Sequence, residues 1–171
     1  EVSAKILASQ TYKKGISAQE KANSLSKTTK YICAQAKKSS EYFQLATEIA
    51  KTASQILKQS ILNRRNAIKV DGPDKYLSKW QKAERKFILA TRFIENNNLE
   101  RAKKLDLEAS AAFDELELLI IKDELLAKAK QQISLAKRNK ADRYAQITLS
   151  QAQDILAMAD LELTDNRYNS E

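Results

Sequence analysis

Small and apolar side chains recur along much of this chain at alternating steps of three and four residues, the spacing of one helix face. The longest such seam keeps its phase for about six heptads, which is typical of a coiled coil. Its members are Ala18, Ala22, Leu25, Thr29, Ile32, Ala36, Ser39, Phe43, Ala46, Ala50, Ala53, Leu57 and Ser60. The seam predicts one helix over residues 18–70, about 75–80 Å long at 1.5 Å per residue.

Turn and capping residues set the expected ends of this helix and of the one before it. Gly15 predicts the end of a first helix within residues 1–14, because glycine readily adopts the left-handed conformation that closes helices. Ser17 followed by Glu20 has the pattern of a capping box, which places the start of the long helix at residue 18. Ser39-Ser40 is the alternative position for a break, because two serines can cap a new helix.

Three further helices are expected in the second half of the chain, over about 74–96, 98–138 and 142–163. Gly72-Pro73 ends the long helix ahead of them, because proline disfavours helical backbone in the residue before it. Asn97 is the expected cap of the helix over 98–138.

The helix over residues 98–138 is expected to lie at the centre of the molecule. Its apolar face widens to most of the circumference around residues 116–121, and a helix that is apolar nearly all round is buried on more than one side. Leu116, Leu119 and Ile120 are therefore predicted to contact helices on two sides.

The composition favours helices over every other element. With two Gly, one Pro and two Val in 171 residues, the chain lacks the turns and the Val-rich runs that a sheet needs. We therefore predict an all-α fold, an elongated antiparallel helical bundle of stacked long–short helical hairpins. The lone Cys33 forms neither an internal disulfide nor a Cys-only metal site, and it is expected to be a small buried or half-buried side chain.

No catalytic, cofactor-binding or metal-binding residues are predicted, and the chain is expected not to be an enzyme. Carboxylates cluster at Asp114-Glu115-Glu117 and Asp123-Glu124. A di-metal helical bundle requires a Glu-x-x-His motif, which a chain without His does not contain. We interpret these carboxylates as solvated or ion-paired groups, with Asp123 a candidate buried acid paired with a lysine.

A weak internal repeat of about 69 residues organises the chain, which is predicted to be a single elongated domain, 1–171. A shift of that length aligns Trp80, Ala83, Phe87, Ala90 and Ile94 with Leu149, Ala152, Leu156, Ala159 and Leu163. The units are expected at about 18–96 and 98–165, with 166–171 the start of a truncated next helix. Such units bury their apolar stripes only by stacking on neighbours.

Charge is distributed unevenly along the chain. Residues 1–86 carry 18 Lys/Arg and 7 Asp/Glu, whereas residues 87–171 carry 12 and 15. A basic cluster near the turn at Gly72 is a candidate patch for an anionic partner, and its members are Arg64, Arg65, Lys69, Lys75, Lys79, Lys82, Arg85 and Lys86. Three interpretations stay open: a solvated surface, an anionic envelope partner such as a lipid headgroup or cell-wall polymer, and a nucleic acid.

The last part of the chain resembles a known family. The matching residues are Ala129, Ile133, Ala136-Lys137, Arg143-Tyr144-Ala145, Leu149, Ala152, Leu156, Ala159 and Asn166-Arg167-Tyr168. They resemble the uncharacterised alanine-rich helical-hairpin domain that precedes OmpA-like peptidoglycan-binding domains in Gram-negative envelope proteins. The match covers about 129–168, with a fainter echo at 67–99. Gln146 stands where the family usually has Pro, and Asp165-Asn166 replaces its Gly. The resemblance implies a periplasmic or outer-membrane-attached location and assigns no functional residue.

The chain begins at Glu1 rather than Met, which indicates a processed chain or a fragment. Its longest apolar stretch, residues 116–121, is far shorter than the about 20 residues of a membrane span. We expect a non-enzymatic structural, spacer or interaction module of the bacterial cell envelope. Its expected partner is a protein or an anionic envelope polymer, and its helical seams leave oligomer formation possible. The alternatives are a helical binding module of a secreted effector or adhesin, and a basic nucleic-acid-associated helical protein.

Overall fold

A computed structural model describes residues 3–24 and 27–167 of the chain. Helices take up 89% of these residues and no strand occurs among them, which confirms the all-α prediction. The helices of the described part are α1 (Ala4–Leu7), α2 (Ser9–Ala22), α3 (Thr29–Ile56), α4 (Lys58–Lys69), α5 (Gly72–Lys75), α6 (Leu77–Glu95), α7 (Leu99–Arg138), α8 (Ala141–Tyr144) and α9 (Gln146–Asp165).

Two antiparallel helical hairpins form the body of the molecule. In the first hairpin α2 packs against α3, and in the second α6 packs against α7. The helix α4 continues from α3 and packs on α7, where its side chains contact the first half of that helix. The helix α9 returns antiparallel along the second half of α7, so α7 is shared by α4, α6 and α9.

The core is centred on aromatic and aliphatic side chains of α6 and α7. The ring of Phe113 lies 5.2 Å from that of Trp80 and 6.4 Å from that of Phe87, measured between centroids. Leu116 and Ile120 follow on α7 and are each 1% exposed, as predicted. Leu119 is only half-buried, so it is less enclosed than Leu116 and Ile120, and its predicted contacts with two helices stay a prediction.

Gly15 does not end a helix, contrary to the prediction. It lies inside α2, and the break falls earlier, at Ala8. Gly15 is buried because α2 approaches α3 closely there: a Cβ on this residue would lie 2.9 Å from the Phe43 ring, and its carbonyl accepts a hydrogen bond from Ser39 Oγ at 3.0 Å. The absence of a side chain at Gly15 thus permits a close helix crossing. The first two residues of the helix predicted within 1–14 lie outside the described residues.

The predicted continuous helix over 18–70 is also wrong. Ser17 and Glu20 belong to α2, which ends at Ala22, and α3 begins after Thr28, whose hydroxyl accepts the Tyr31 N–H at 3.4 Å. Ser39-Ser40 is not a break, because Ser39 uses its hydroxyl to reach α2 and stays inside α3.

A second interruption at Leu57 separates α3 from α4. Leu57 N–H still donates to Ala53 O at 2.8 Å and Leu57 O accepts from Ile61 N at 3.0 Å, so the interruption is a local distortion. Beyond it α4 packs along α7.

The later helices lie near their predicted positions, but α6 and α9 begin at Leu77 and Gln146, three and four residues later than predicted. Asn97 adopts a left-handed conformation with φ 56°, and Asn98 rather than Asn97 caps α7 by accepting the Arg101 N–H at 3.3 Å. Asp71 (φ 59°) and Lys140 (φ 62°) are also left-handed, and each is followed by a four-residue helical turn and then by a longer helix. These two turns lie 69 residues apart. The repeat that this spacing suggests stays a prediction, and most of its expected third unit, residues 168–171, lies outside the described residues.

The molecule is elongated, as predicted. Its accessible surface is 11817 Å², whereas a compact monomer of 19.3 kDa exposes about 8,500 Å². The 40-residue α7 alone is about 60 Å long at 1.5 Å per residue. Because α7 is so long, α4, α6 and α9 can all pack against it.

Truncation of Leu116 tests the central position of α7. We expect Leu116→Ala to lower the free energy of unfolding by about 2–5 kcal/mol, the range for a buried leucine, because neighbouring helices surround the side chain. Leu119→Ala should cost clearly less, and Lys79→Ala under about 0.5 kcal/mol, as for most surface sites. Urea unfolding followed by circular dichroism measures all three, and equal losses for the two leucine variants would contradict this core.

Candidate functional site

Three members of the predicted basic patch form ion pairs with carboxylates on neighbouring helices. Arg64 on α4 donates two hydrogen bonds to Glu84 on α6, at 2.7 and 2.9 Å. Lys86 Nζ lies 3.1 Å from Glu108 Oε2, and Lys75 binds Glu124. These three cations therefore join helices.

Arg64 is the most deeply placed of these cations. Its guanidinium carbon lies 5.3 Å from the centroid of the Trp80 ring and 5.7 Å from that of Phe87. The Arg64 side chain is 16% exposed and that of Glu84 21%. A bidentate pair stacked on aromatic rings closes the gap between α4 and α6, which suits the planar guanidinium group.

The other five members of the patch are exposed side chains on α4 and α6: Arg65, Lys69, Lys79, Lys82 and Arg85. None of these five forms an ion pair within the part of the chain that the structure describes. The structure thus divides the predicted patch into helix-joining and solvent-facing cations.

A cationic groove that the sequence reading did not single out lies beside α1. Arg65, Lys51 and Lys58 line this groove of about 560 Å³, together with Leu7 and Ile61. The three cations are spaced seven residues apart on one face of α3 and α4, a signal that the sequence contained.

The predicted acidic clusters contribute to helix contacts. Asp123 accepts a hydrogen bond from the Tyr76 hydroxyl and lies 3.9 Å from Lys130 Nζ. The hydrogen bond to Asp123 is the largest cause that raises the pKa of Tyr76. Asp123 is half-buried and contacts a lysine, as predicted, and the hydrogen bond from the Tyr76 hydroxyl is a second contact that was not predicted.

Arg167 attaches the end of α9 to the middle of α7. Its Nη2 atom lies 3.0 Å from Asp114 Oδ2, and its Nη1 atom lies 3.2 Å from the Asp114 carbonyl oxygen and 3.8 Å from Glu117 Oε2. Glu117 is 2% exposed. Among the described residues, no group of three or more Cys, Asp or Glu side chains has an arrangement that could hold a metal ion.

A buried polar layer fixes α4 against α7. The Ser60 hydroxyl donates to Asp106, and the Asn63 amide donates to the hydroxyl and carbonyl oxygens of Ser110 at 3.0 and 3.1 Å. Burial raises the pKa of the Asp106 carboxyl above its usual value, and its interactions with Ser60 partly offset this rise. These polar pairs specify the register of the two helices, because a shift by one turn would leave buried groups unpaired.

The second half of α7 and α9 enclose an open groove of about 590 Å³, here called the α7–α9 groove. Its lining residues are Lys130, Ile133, Ser134, Lys137, Gln153, Leu156, Ala157 and Asp160. Lys122 binds Asp160 at 2.6 Å at the inner end of this groove. Cys33 lies away from it and is exposed on α3, so its predicted burial is wrong.

Comparisons of the chain with protein-family models, with curated proteins and with solved structures found no match. Within the described residues, every helix is too short or too polar to pass through a lipid bilayer.

Replacing Asp106 by Asn tests the polar layer. The amide still accepts the Ser60 hydrogen bond but carries no charge. Because burial raises the pKa of Asp106 above its unfolded value, the penalty for its carboxylate is fully present above the folded-state pKa. It decreases as the pH falls from the folded-state towards the unfolded-state pKa, and it is lost below the latter. We expect Asp106→Asn to be more stable than the parent at about pH 7, and the difference to shrink towards about pH 3.5.

Urea unfolding at several pH values measures this difference, with the exposed Asp154→Asn on α9 as the control. A variant that is less stable than the parent at neutral pH, by an amount that acid does not change, would contradict the assigned role of the carboxylate.

Proposed function

We propose that this chain is a non-enzymatic helical scaffold, a spacer or interaction module of the bacterial cell envelope. The observation that carries the scaffold role is the continuous α7, which packs against α4, α6 and α9 along its length. A long helix supported on several sides holds the segments attached to its two ends at a set separation. The envelope location is supported only by the resemblance of residues 129–168 to the hairpin domain of envelope proteins.

The roles of the ionisable side chains support a structural function. Arg64, Lys86 and Glu124 each join two helices. Asp106 and Glu117 are buried in contacts between helices. These groups contribute to packing, where a catalytic site would need them to converge on a substrate cleft.

A second candidate function is the binding of an anionic polymer. The groove bordered by Lys51, Lys58 and Arg65 is the observation that favours it. Its cations lie beside an apolar floor that includes Leu7 and Ile61. An envelope polymer or lipid headgroup fits this arrangement better than a nucleic acid, because no aromatic side chain among the described residues lines the groove for base stacking.

Rigidity of α7 is the first test of the spacer role. Spin labels on Glu100→Cys and Arg138→Cys, in a Cys33→Ser background, should give one narrow distance distribution near about 57 Å, because 38 helical steps of 1.5 Å separate the two positions. Pulsed electron paramagnetic resonance measures this distance. A broad or bimodal distribution would show that the helix bends in solution and would remove the basis of the spacer role.

Location and partner class are the second test. We expect an antibody to this chain to detect it in the periplasmic or outer-membrane fraction of the producing cell, and the purified chain to sediment with peptidoglycan sacculi more than with double-stranded DNA at about 150 mM salt. Lys51→Glu/Lys58→Glu should reduce sedimentation, whereas Lys79→Glu/Lys82→Glu serves as the matched control. A cytosolic protein that binds DNA at this salt concentration would favour the nucleic-acid alternative instead.

A further inference from the structure

The α7–α9 groove has a counterpart earlier in the chain that is closed. The counterpart lies 69 residues earlier in the sequence, between α4 and α6. There the Arg64–Glu84 ion pair joins the two helices, and the Arg64 guanidinium lies over the Phe87 ring. The helices α1 and α2 lie over that earlier groove, and Leu7 is 1% exposed there. One chain thus contains the same type of groove in a covered and an open form.

The side chains at the equivalent positions explain why the later groove is open. Ile133 stands where the earlier groove has Arg64, and Gln153 stands where it has Glu84. No ion pair can form between an isoleucine and a glutamine. Ile133, Leu156 and Ala157 instead contribute an apolar lining, with Lys130 and Lys137 beside it.

The outer face of α9, next to this groove, is also apolar and exposed. Ile147 is 77% exposed, Ile155 62%, Met158 63% and Leu161 64%. These residues lie on the side of α9 opposite Leu149, which packs towards α7 and is 8% exposed. A helix that is apolar on both sides is typical of one that contacts a second partner.

The charges of the two helices are complementary. The helix α9 contains four acidic residues and neither Lys nor Arg: Asp154, Asp160, Glu162 and Asp165. The end of α7 and the following turn carry six cations: Lys128, Lys130, Lys137, Arg138, Lys140 and Arg143. An α9 helix therefore has the acidic flanks and the apolar stripe that fit a groove bordered by Lys130 and Lys137.

We propose that the α7–α9 hairpin is the interface for a second copy of this chain. The outer face of α9 in each copy enters the α7–α9 groove of the other, so that two hairpins form a four-helix arrangement around a two-fold axis. Such an interface is isologous, because each copy contributes both the acidic helix and the basic groove. Two adjacent helices of this length present a face of about 30 by 20 Å. This area of about 600 Å² is at the lower limit of the about 600–1,000 Å² that a standard interface buries on each partner.

Sedimentation velocity over a wide concentration range tests the proposal. The chain should sediment as a dimer of twice 19.3 kDa. The exposed-face variant Ile155→Lys/Met158→Lys should be monomeric with an unchanged circular dichroism spectrum, and the control Lys79→Glu/Lys82→Glu should remain dimeric. A parent chain that is monomeric at every concentration would mean that this face binds a different protein, and would overturn the proposal. So would a dimer that the face variant leaves intact.

Charge reversal gives a sharper second test. Lys130→Glu/Lys137→Glu and Asp154→Lys/Glu162→Lys should each weaken self-association by about tenfold or more, because like charges then meet across the interface. A mixture of the two variants should recover a heterodimer, since both of its contacts are again complementary. Failure of the mixture to recover would overturn the assigned arrangement. Neither result bears on the stiffness of α7 or on the cellular location, so the scaffold proposal is tested separately.

Discussion

The buried face in the middle of α7 is the constraint on which the rest of the structure depends. Phe113, Leu116 and Ile120 are at most 1% exposed, and Phe113 meets the aromatic rings of α6. Hydrophobic burial is non-directional, so by itself it would not fix the position of α4 along the axis of α7. Hydrogen bonds fix this register, because Asp106 and Ser110 accept hydrogen bonds from Ser60 and Asn63 of α4.

Ion pairs between helices extend this arrangement outward from the core. Arg64 joins α4 to α6 over two aromatic rings, and Arg167 joins the end of α9 to Asp114 of α7. Exposed ion pairs contribute little to stability, whereas partly buried bidentate pairs hold a defined geometry. The charged residues of this protein therefore have two distinct uses. The partly buried ones, such as Arg64 and Arg167, hold helices in position, and the exposed ones face the solvent.

The two ends of the described structure differ in how completely they are covered. At the first hairpin, α1 and α2 lie over the groove between α4 and α6, and Glu95 accepts hydrogen bonds from the start of α2. At the other end, α9 keeps a broad apolar face exposed beside an open groove. The proposed association with a second copy would cover this open groove, and the opposite charges of α9 and the end of α7 favour it.

The sequence by itself determined the helical content, the elongated shape and the boundaries from Gly72 to Arg138, because scarce Gly and Pro and local capping signals act within a few residues. Only the tertiary structure decided the role of Gly15, the end of α2 at Ala22, the interruption at Leu57, and the division of the basic patch. A glycine that ends a helix and one that permits a close crossing look alike in sequence. The difference for Gly15 is made by Phe43 and Ser39, which are distant along the chain. The same holds for Arg64, whose partner Glu84 lies on another helix and is selected by packing.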